Sequence, residues 1–228
     1  MTSRYAGFRG AVVDFDMTLV YLFDYVDMYG LRRELREMLS RNLFNPDGIR
    51  SLPVDLLRRA YERDAGDPGS REERWLEASR LVCSYEIRGA ERAVPTADTA
   101  LFLEDMAAAG LRIGIVTSNC EEAVEACLDR LSLRSYFSCV VGRDAVGWKM
   151  KPSPAGVEIA LRQMGVQPEE AFGIGDSAAD MAAYASAGIL PIGITGGVST
   201  RRELIEAGAR GVTVRLSGTE VALVQATR

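Results

Sequence analysis

Histidine is absent from all 228 residues. That excludes a Ser-His-Asp triad, a Cys-His pair, HExxH zinc sites and every scheme that passes a phosphoryl group through imidazole. General acid and base work must then fall to carboxylates, Lys, Tyr or Cys. Cysteine is scarce too: Cys83, Cys120, Cys127 and Cys139, with no CxxC pair. This pattern argues against a disulfide framework or a thiolate zinc site. Cys120 and Cys127 are seven apart, on one face if the segment is helical, and read as semi-buried thiols rather than ligands. None of the four has an Arg six residues later, so the tyrosine-phosphatase pattern is missing. No apolar run reaches the roughly 18 to 20 residues of a membrane span. The opening MTSRYAGFRGAVVDFD brings in acids too early for a signal peptide. Nor is there a surplus of positive charge: 27 basic and 32 acidic residues leave a net charge of -5. A nucleic-acid backbone is therefore disfavoured as a partner. A cytoplasmic protein with neither membrane nor nucleic-acid partners is the expectation.

What remains is ordinary globular composition, 47% hydrophobic and 26% charged. From about residue 96 a regular alternation sets in. LRIGIVTSN (111–119), YFSCVVG (136–142), AFGIGD (171–176), LPIGIT (190–195) and GVTVRL (211–216) have strand character. CEEAVEACLDRL (120–131) and SPAGVEIALRQMG (153–165) have helical periodicity, the latter with Pro154 in its first turn and Gly165 past its end. Gly110 closes an earlier helix, and Thr200 and Glu203 have capping-box spacing. GAVVDF joins this set as a first strand. The pattern implies an α/β fold, a Rossmann-like parallel sheet with helices on both faces.

Residues 22–93 differ. They are rich in Arg and Glu and lack convincing strands. LRRELREMLSRNL (31–43), VDLLRRAYERD (54–64) and EERWLEASRLVCSYEI (72–87) read as amphipathic helices, with DAGDPGS (64–70) a turn-rich break. A helical insert thus interrupts the α/β domain just after its first strand.

The stretch AVVDFDMTLV (11–20) ends an apolar strand in Asp14 and Asp16. Residues two apart on extended chain share a face, which puts both acids together and turns Phe15 toward packing. Ligands of open parallel sheets sit beyond the carboxyl ends of the strands. Other strand ends supply Thr117, Ser118 and Asn119, and then Asp176, Ser177 and Asp180, while Lys149 and Lys151 precede a helix. Two carboxylates about 4 Å apart repel by roughly 4 kcal/mol at an effective dielectric of 20. Such a cluster calls for a cation, and all-oxygen donors suit Mg²⁺ better than Zn²⁺.

DFDMTLV, IGIVTSN, KPSP and GIGDSAAD occur in the order and approximate spacing of four motifs of the haloacid dehalogenase superfamily. The chain resembles its phosphatase branch, near the phosphoglycolate phosphatase-like proteins, with core at 1–21 and 94–228 and a helical cap at 22–93. The resemblance implies a Mg²⁺-dependent phosphatase acting on a small phosphorylated metabolite. It implies Asp14 as nucleophile forming an aspartyl-phosphate and Asp16 as general acid and base, its backbone carbonyl on the metal. Thr117 and Lys151 would hold phosphoryl oxygens, with Thr18, Ser118 and Asn119 as further substrate contacts. Asp176 would ligate Mg²⁺, and Asp180 would bind or support it. One departure stands out: the family usually has Gly between the second acid and the Thr, where this chain has Met17.

Three rivals stay open at this point: a phosphomutase, a 2-haloacid dehalogenase and a non-catalytic phospholigand-binding protein. GITGGVST (193–200) lacks GxGxxG order and reads as the last loop bordering the crevice. The arginines of the insert read as solvated helix faces. Tyr21, Asp24 and Tyr25 are candidates to line the cleft between cap and core.

Overall fold

In the computed structural model, which describes Tyr5 and residues 7–41, 53–64 and 66–219, the first strand is β1 (Gly10–Val13). All four of its residues are buried, as befits a strand covered on both faces. Ala11 and Val13 face one hydrophobic cluster with Phe102, Met106 and Leu128, while Val12 faces another with Val157, Met181 and Tyr184. The chain continues through β2 (Val20–Tyr21), α1 (Met28–Arg41), α2 (Pro53–Arg63), α3 (Pro68–Ala90), β3 (Val94–Pro95) and α4 (Thr99–Ala108). It then alternates: β4 (Arg112–Val116), α5 (Glu121–Arg130), β5 (Phe137–Val141), α6 (Arg143–Val146), α7 (Ala155–Met164) and β6 (Ala171–Gly175). The last described elements are α8 (Ala178–Ser186), β7 (Leu190–Ile194), α9 (Arg201–Glu206) and β8 (Gly211–Thr213).

Six strands form one sheet in the order β5-β4-β1-β6-β7-β8, every pairing parallel. The chain leaves β1 for β4 on one side and returns to β6 on the other. β1 therefore sits at the switch point, where the loops splay apart and a crevice opens past the strand ends. The Rossmann-like α/β expectation agrees with this sheet, and the expected strands fall within a few residues of the observed ones.

The insert is helical. Leu31, Leu35, Leu57, Trp75 and Val82 build a third cluster of their own, and Met150 from the core domain joins it. Its helices start earlier than the sequence periodicity suggests, because polar caps set the boundaries. Gly30 N–H donates to Asp27 Oδ1 (2.9 Å) at the start of α1, and Ser70 N–H to Asp67 Oδ1 (3.0 Å) at the start of α3. The segment DPGS, expected to lie in a break, is thus cap and first turn, with Pro68 at the first helical position. The expected tail of the first insert helix, residues 42–43, lies outside the described residues.

Two features were not foreseen. β2 and β3 pair antiparallel, Val20 with Pro95 and Tyr21 with Val94, where the chain leaves and re-enters the core. Two-residue strands carry no periodicity to detect. The second is a correction: Cys83 on α3 and Cys120 at the start of α5 form a disulfide across 37 residues. Cys120 is fully buried and is not a semi-buried thiol. Only Cys127 and Cys139 are free, both buried. Spacing along the chain could not show that α3 packs lengthwise on α5. Among the described residues, no helix is long and apolar enough to cross a membrane.

Candidate active site

A cleft of about 510 Å³ opens at the carboxyl ends of the central strands. Asp14, one residue past β1, is almost fully buried on its floor. Lys151 Nζ lies 2.5 Å from Asp14 Oδ1, 2.5 Å from Asp180 Oδ1 and 3.1 Å from the Val116 carbonyl. Lys149 instead stands exposed beside the Trp148 ring, so Lys151 is the lysine brought to the acids. Asp176, one residue past β6, accepts from Val198 N–H through Oδ2 (2.5 Å). Asp180 is the third residue of α8, and its Oδ2 accepts from Ser177 N–H (3.0 Å) and Ser177 Oγ (2.6 Å) in a capping box.

Carboxylate oxygens of Asp14, Asp176 and Asp180 lie within 4.8 Å of one another, all three residues buried. Burial pushes the Asp14 pKa up to about 6, Lys151 pulling it down and Asp180 pushing it up. Burial, then the charges of Asp14 and Asp180, push Asp176 to about 8. Burial alone would lower the Lys151 pKa, but its two acid partners outweigh that and hold the ammonium firmly protonated. Three carboxylates around one ammonium leave surplus negative charge. A hard divalent cation is the group that relieves it, and the donor set, oxygen only, fits Mg²⁺.

The fourth acid does not join them. Asp16 Oδ1 accepts from the backbone N–H of Leu22 (2.7 Å), Met17 (3.1 Å) and Phe23 (3.2 Å). The expectation that four carboxylate side chains gather at one point is corrected to three. Its reason is local: β1 ends at Val13, so the two-residue alternation does not extend to Asp16. The chain instead turns at Met17, whose φ of 62° is left-handed. Asp16 still lines the cleft, and burial pushes its pKa up to about 7 against the pull of its backbone donors.

Thr18 is also displaced from its expected role. It is fully buried and does not line the cleft; its Oγ1 lies 3.3 Å from Asp14 Oδ2 and 3.5 Å from Asp176 Oδ1. It steadies the acids from behind. Thr117, Ser118 and Asn119 do line the cleft, past β4. Thr117 Oγ1 donates to Asn119 Oδ1 (2.7 Å), and Asn119 Nδ2 donates to Glu86 Oε1 (3.0 Å) on α3. Of the aromatic and acidic candidates after the first motif, Asp24 lines both the cleft and a second cavity, Tyr25 lines only the second, with Arg88 and Arg92, and Tyr21 lines neither.

Two groups were missed. Glu86 pairs with Arg143, and together they hold the loop bearing Thr117 to Asn119. Glu86 was detectable in principle as an acid at helical spacing with the buried residues Trp75, Val82 and Gly89. The loop at 193–200 was expected to border the crevice and does so at Gly197, Val198 and Ser199, with Val198 N–H gripping Asp176. A Cβ on Gly197 would collide with the Asp176 carboxylate, so glycine here permits close approach.

Comparison with known proteins places these features in context. The family model described as haloacid dehalogenase-like hydrolase matches residues 12–194. A phosphoglycolate phosphatase from Salmonella choleraesuis is 37% identical over 169 residues, 72% of this chain and 59% of that one. Another from Aquifex aeolicus is 40% identical over 86 residues, 38% of this chain and 40% of that one. The chain thus spans about half the length of these curated relatives. A solved haloacid dehalogenase-like family hydrolase from Streptococcus pneumoniae shares the fold at 16% identity, with a TM-score of 0.65 over 95% of this chain and 99% of that one. With a family match across most of its length, on the sheet whose strand ends carry the acids, this chain belongs to the haloacid dehalogenase-like hydrolases.

Proposed function

We propose that the protein is a Mg²⁺-dependent phosphatase that hydrolyses a small phosphomonoester through an aspartyl-phosphate on Asp14. The observation that carries this reading is Lys151 held between Asp14 and Asp180 beside Asp176, at the bottom of an open cleft. Asp14, Asp176, Asp180 and the Asp16 carbonyl would hold the metal, which supplies charge neutralisation for a phosphate dianion.

In this reading an Asp14 carboxylate oxygen attacks phosphorus while the bond to the alcohol oxygen breaks. Asp16 gives that oxygen its proton, and the alcohol leaves. Water then attacks the aspartyl-phosphate, Asp16 taking its proton, and inorganic phosphate departs. Lys151 and Thr117 bind phosphoryl oxygens, and the Ser118 and Asn119 loop borders them. Thr18 and the loop at Gly197 keep Asp14 and Asp176 in register. We assign residues 22–93 as a cap that shelters the cleft and 1–21 with 94–228 as the catalytic core.

Phosphate release from a panel of sugar phosphates, nucleotides and phosphoglycolate, with and without Mg²⁺, tests the proposal. Asp14→Asn is expected to abolish turnover with the fold intact, and Asp176→Ala to raise the Mg²⁺ requirement sharply. Near-normal turnover by Asp14→Asn would remove the nucleophile from its assigned place. The same reading places the enzyme in the cytoplasm with its metabolite substrate. The Cys83–Cys120 bridge is unusual for that compartment, so thiol counting after rapid alkylation of cells tests the placement.

A further inference from the structure

The part of the cleft beyond the phosphoryl-binding residues has its own chemistry. Its apolar lining comes from Met17, Phe23, Met28 and Val54, joined by two acids, Asp24 and Asp55. Lys151 is the sole basic residue lining the cleft among the described residues, and it is engaged by Asp14 and Asp180. The insert is rich in arginine, and several of its described arginines have partners of their own. Arg58 pairs with Glu62 (2.8 Å) and more loosely with the cleft acid Asp55 (3.9 Å), Arg74 pairs with Asp64 (2.6 Å), and Arg71 lies over the Tyr61 ring. Arg88 and Arg92 lie over Tyr85 and Tyr25 beside the other cavity. None of the described arginines lines this cleft.

Resting on the phosphatase reading, we infer that the cleft selects a phosphomonoester whose alcohol portion is uncharged and presents an apolar face, and rejects one carrying a second anion. A carboxylate or second phosphate on the leaving group would lose water and, among the described lining residues, meet no cation beyond Lys151. It would sit instead in the field of Asp24 and Asp55. An alkyl portion gains by covering Met17, Phe23, Met28 and Val54, which are half-buried in the protein. Phosphoglycolate, the substrate in the names of the curated relatives, carries such a second anion and is a poor fit.

The test compares kcat/KM for n-butyl phosphate and phosphoglycolate with Mg²⁺ in the wild-type protein and in Asp24→Asn/Asp55→Asn. Both acids lie outside the proposed catalytic set, and neither is fully buried, so the variant is expected to fold; a thermal melt verifies it. The expected result is at least a tenfold preference for n-butyl phosphate. In the variant, phosphoglycolate turnover rises about tenfold while n-butyl phosphate stays within twofold. Equal or faster turnover of phosphoglycolate by the wild type overturns the inference and leaves the phosphatase reading standing. A preference unchanged in the variant removes Asp24 and Asp55 from the discrimination. Failure to hydrolyse either ester, or any member of the wider panel, overturns both readings together.

Discussion

Glu86 Oε2 lies 3.0 Å from Arg143 Nη2, and neither side chain is exposed to solvent. The pair joins α3 of the insert to α6 of the core. Its remaining valences are met: Arg143 Nε donates to Ser79 Oγ (2.8 Å) and Nη1 to the Ser118 carbonyl (2.6 Å). Glu86 also accepts from Cys120 N–H (3.0 Å) and Asn119 Nδ2 (3.0 Å). Glu86→Ala would strand a buried guanidinium, at a cost of about 3–5 kcal/mol. The expected outcome is a Tm lower by roughly 10 °C. Glu86→Leu combined with Arg143→Met should melt higher than Glu86→Ala, because neither charge is then left alone. Calorimetry of the three variants checks this.

The Cys83–Cys120 bridge closes a 37-residue separation that includes the end of α3, β3 and α4. Cross-linking a loop of that size stabilises by about 4 kcal/mol, chiefly by restricting the unfolded chain. Cys83→Ser is expected to lower stability by that amount, and reductant to have no further effect on the variant. Under denaturing conditions without reductant, the unmodified protein should titrate two thiols, Cys127 and Cys139.

Met17 adopts φ 62°, a region that costs a non-glycine residue about 1 kcal/mol. Its N–H donates to the Val20 carbonyl (2.8 Å), so the turn is held despite that cost. Met17→Gly is expected to stabilise the fold by about 0.5 kcal/mol, the gain trimmed by the greater freedom of unfolded glycine. The same change removes one apolar wall of the cleft, so KM for n-butyl phosphate should rise several-fold with little change in kcat. Denaturant unfolding and steady-state kinetics read the two effects separately.

Gly197→Ala would push a methyl group into the Asp176 carboxylate. Asp176 Oδ2 would have to leave the Val198 N–H that now holds it at 2.5 Å. The expected result is a Mg²⁺ requirement at least tenfold higher, with a melting temperature within a few degrees of wild type. A Mg²⁺ titration of activity beside a thermal melt decides it.

The strands, their order of appearance and the acids at their ends were legible because each depends on local pattern. Apolar runs bounded by glycine mark buried parallel strands, and Gly165 and the Thr200–Glu203 box mark helix ends whatever the rest of the chain does. The side-chain direction of Asp16 was not legible, since it follows from where β1 stops hydrogen bonding. Nor was the buried position of Thr18.

The sequence by itself determined the α/β class, the helical insert and the supply of Asp14, Asp176, Asp180 and Lys151 to one end of the sheet. These follow from periodicity and from the rule that parallel strands share a carboxyl end. Tertiary structure alone decided that Cys83 meets Cys120, that Glu86 meets Arg143, and that none of the described arginines of the insert lines the cleft. Those outcomes turn on how α3 packs against α5 and the core. That packing joins residues dozens of positions apart, and no local pattern records it.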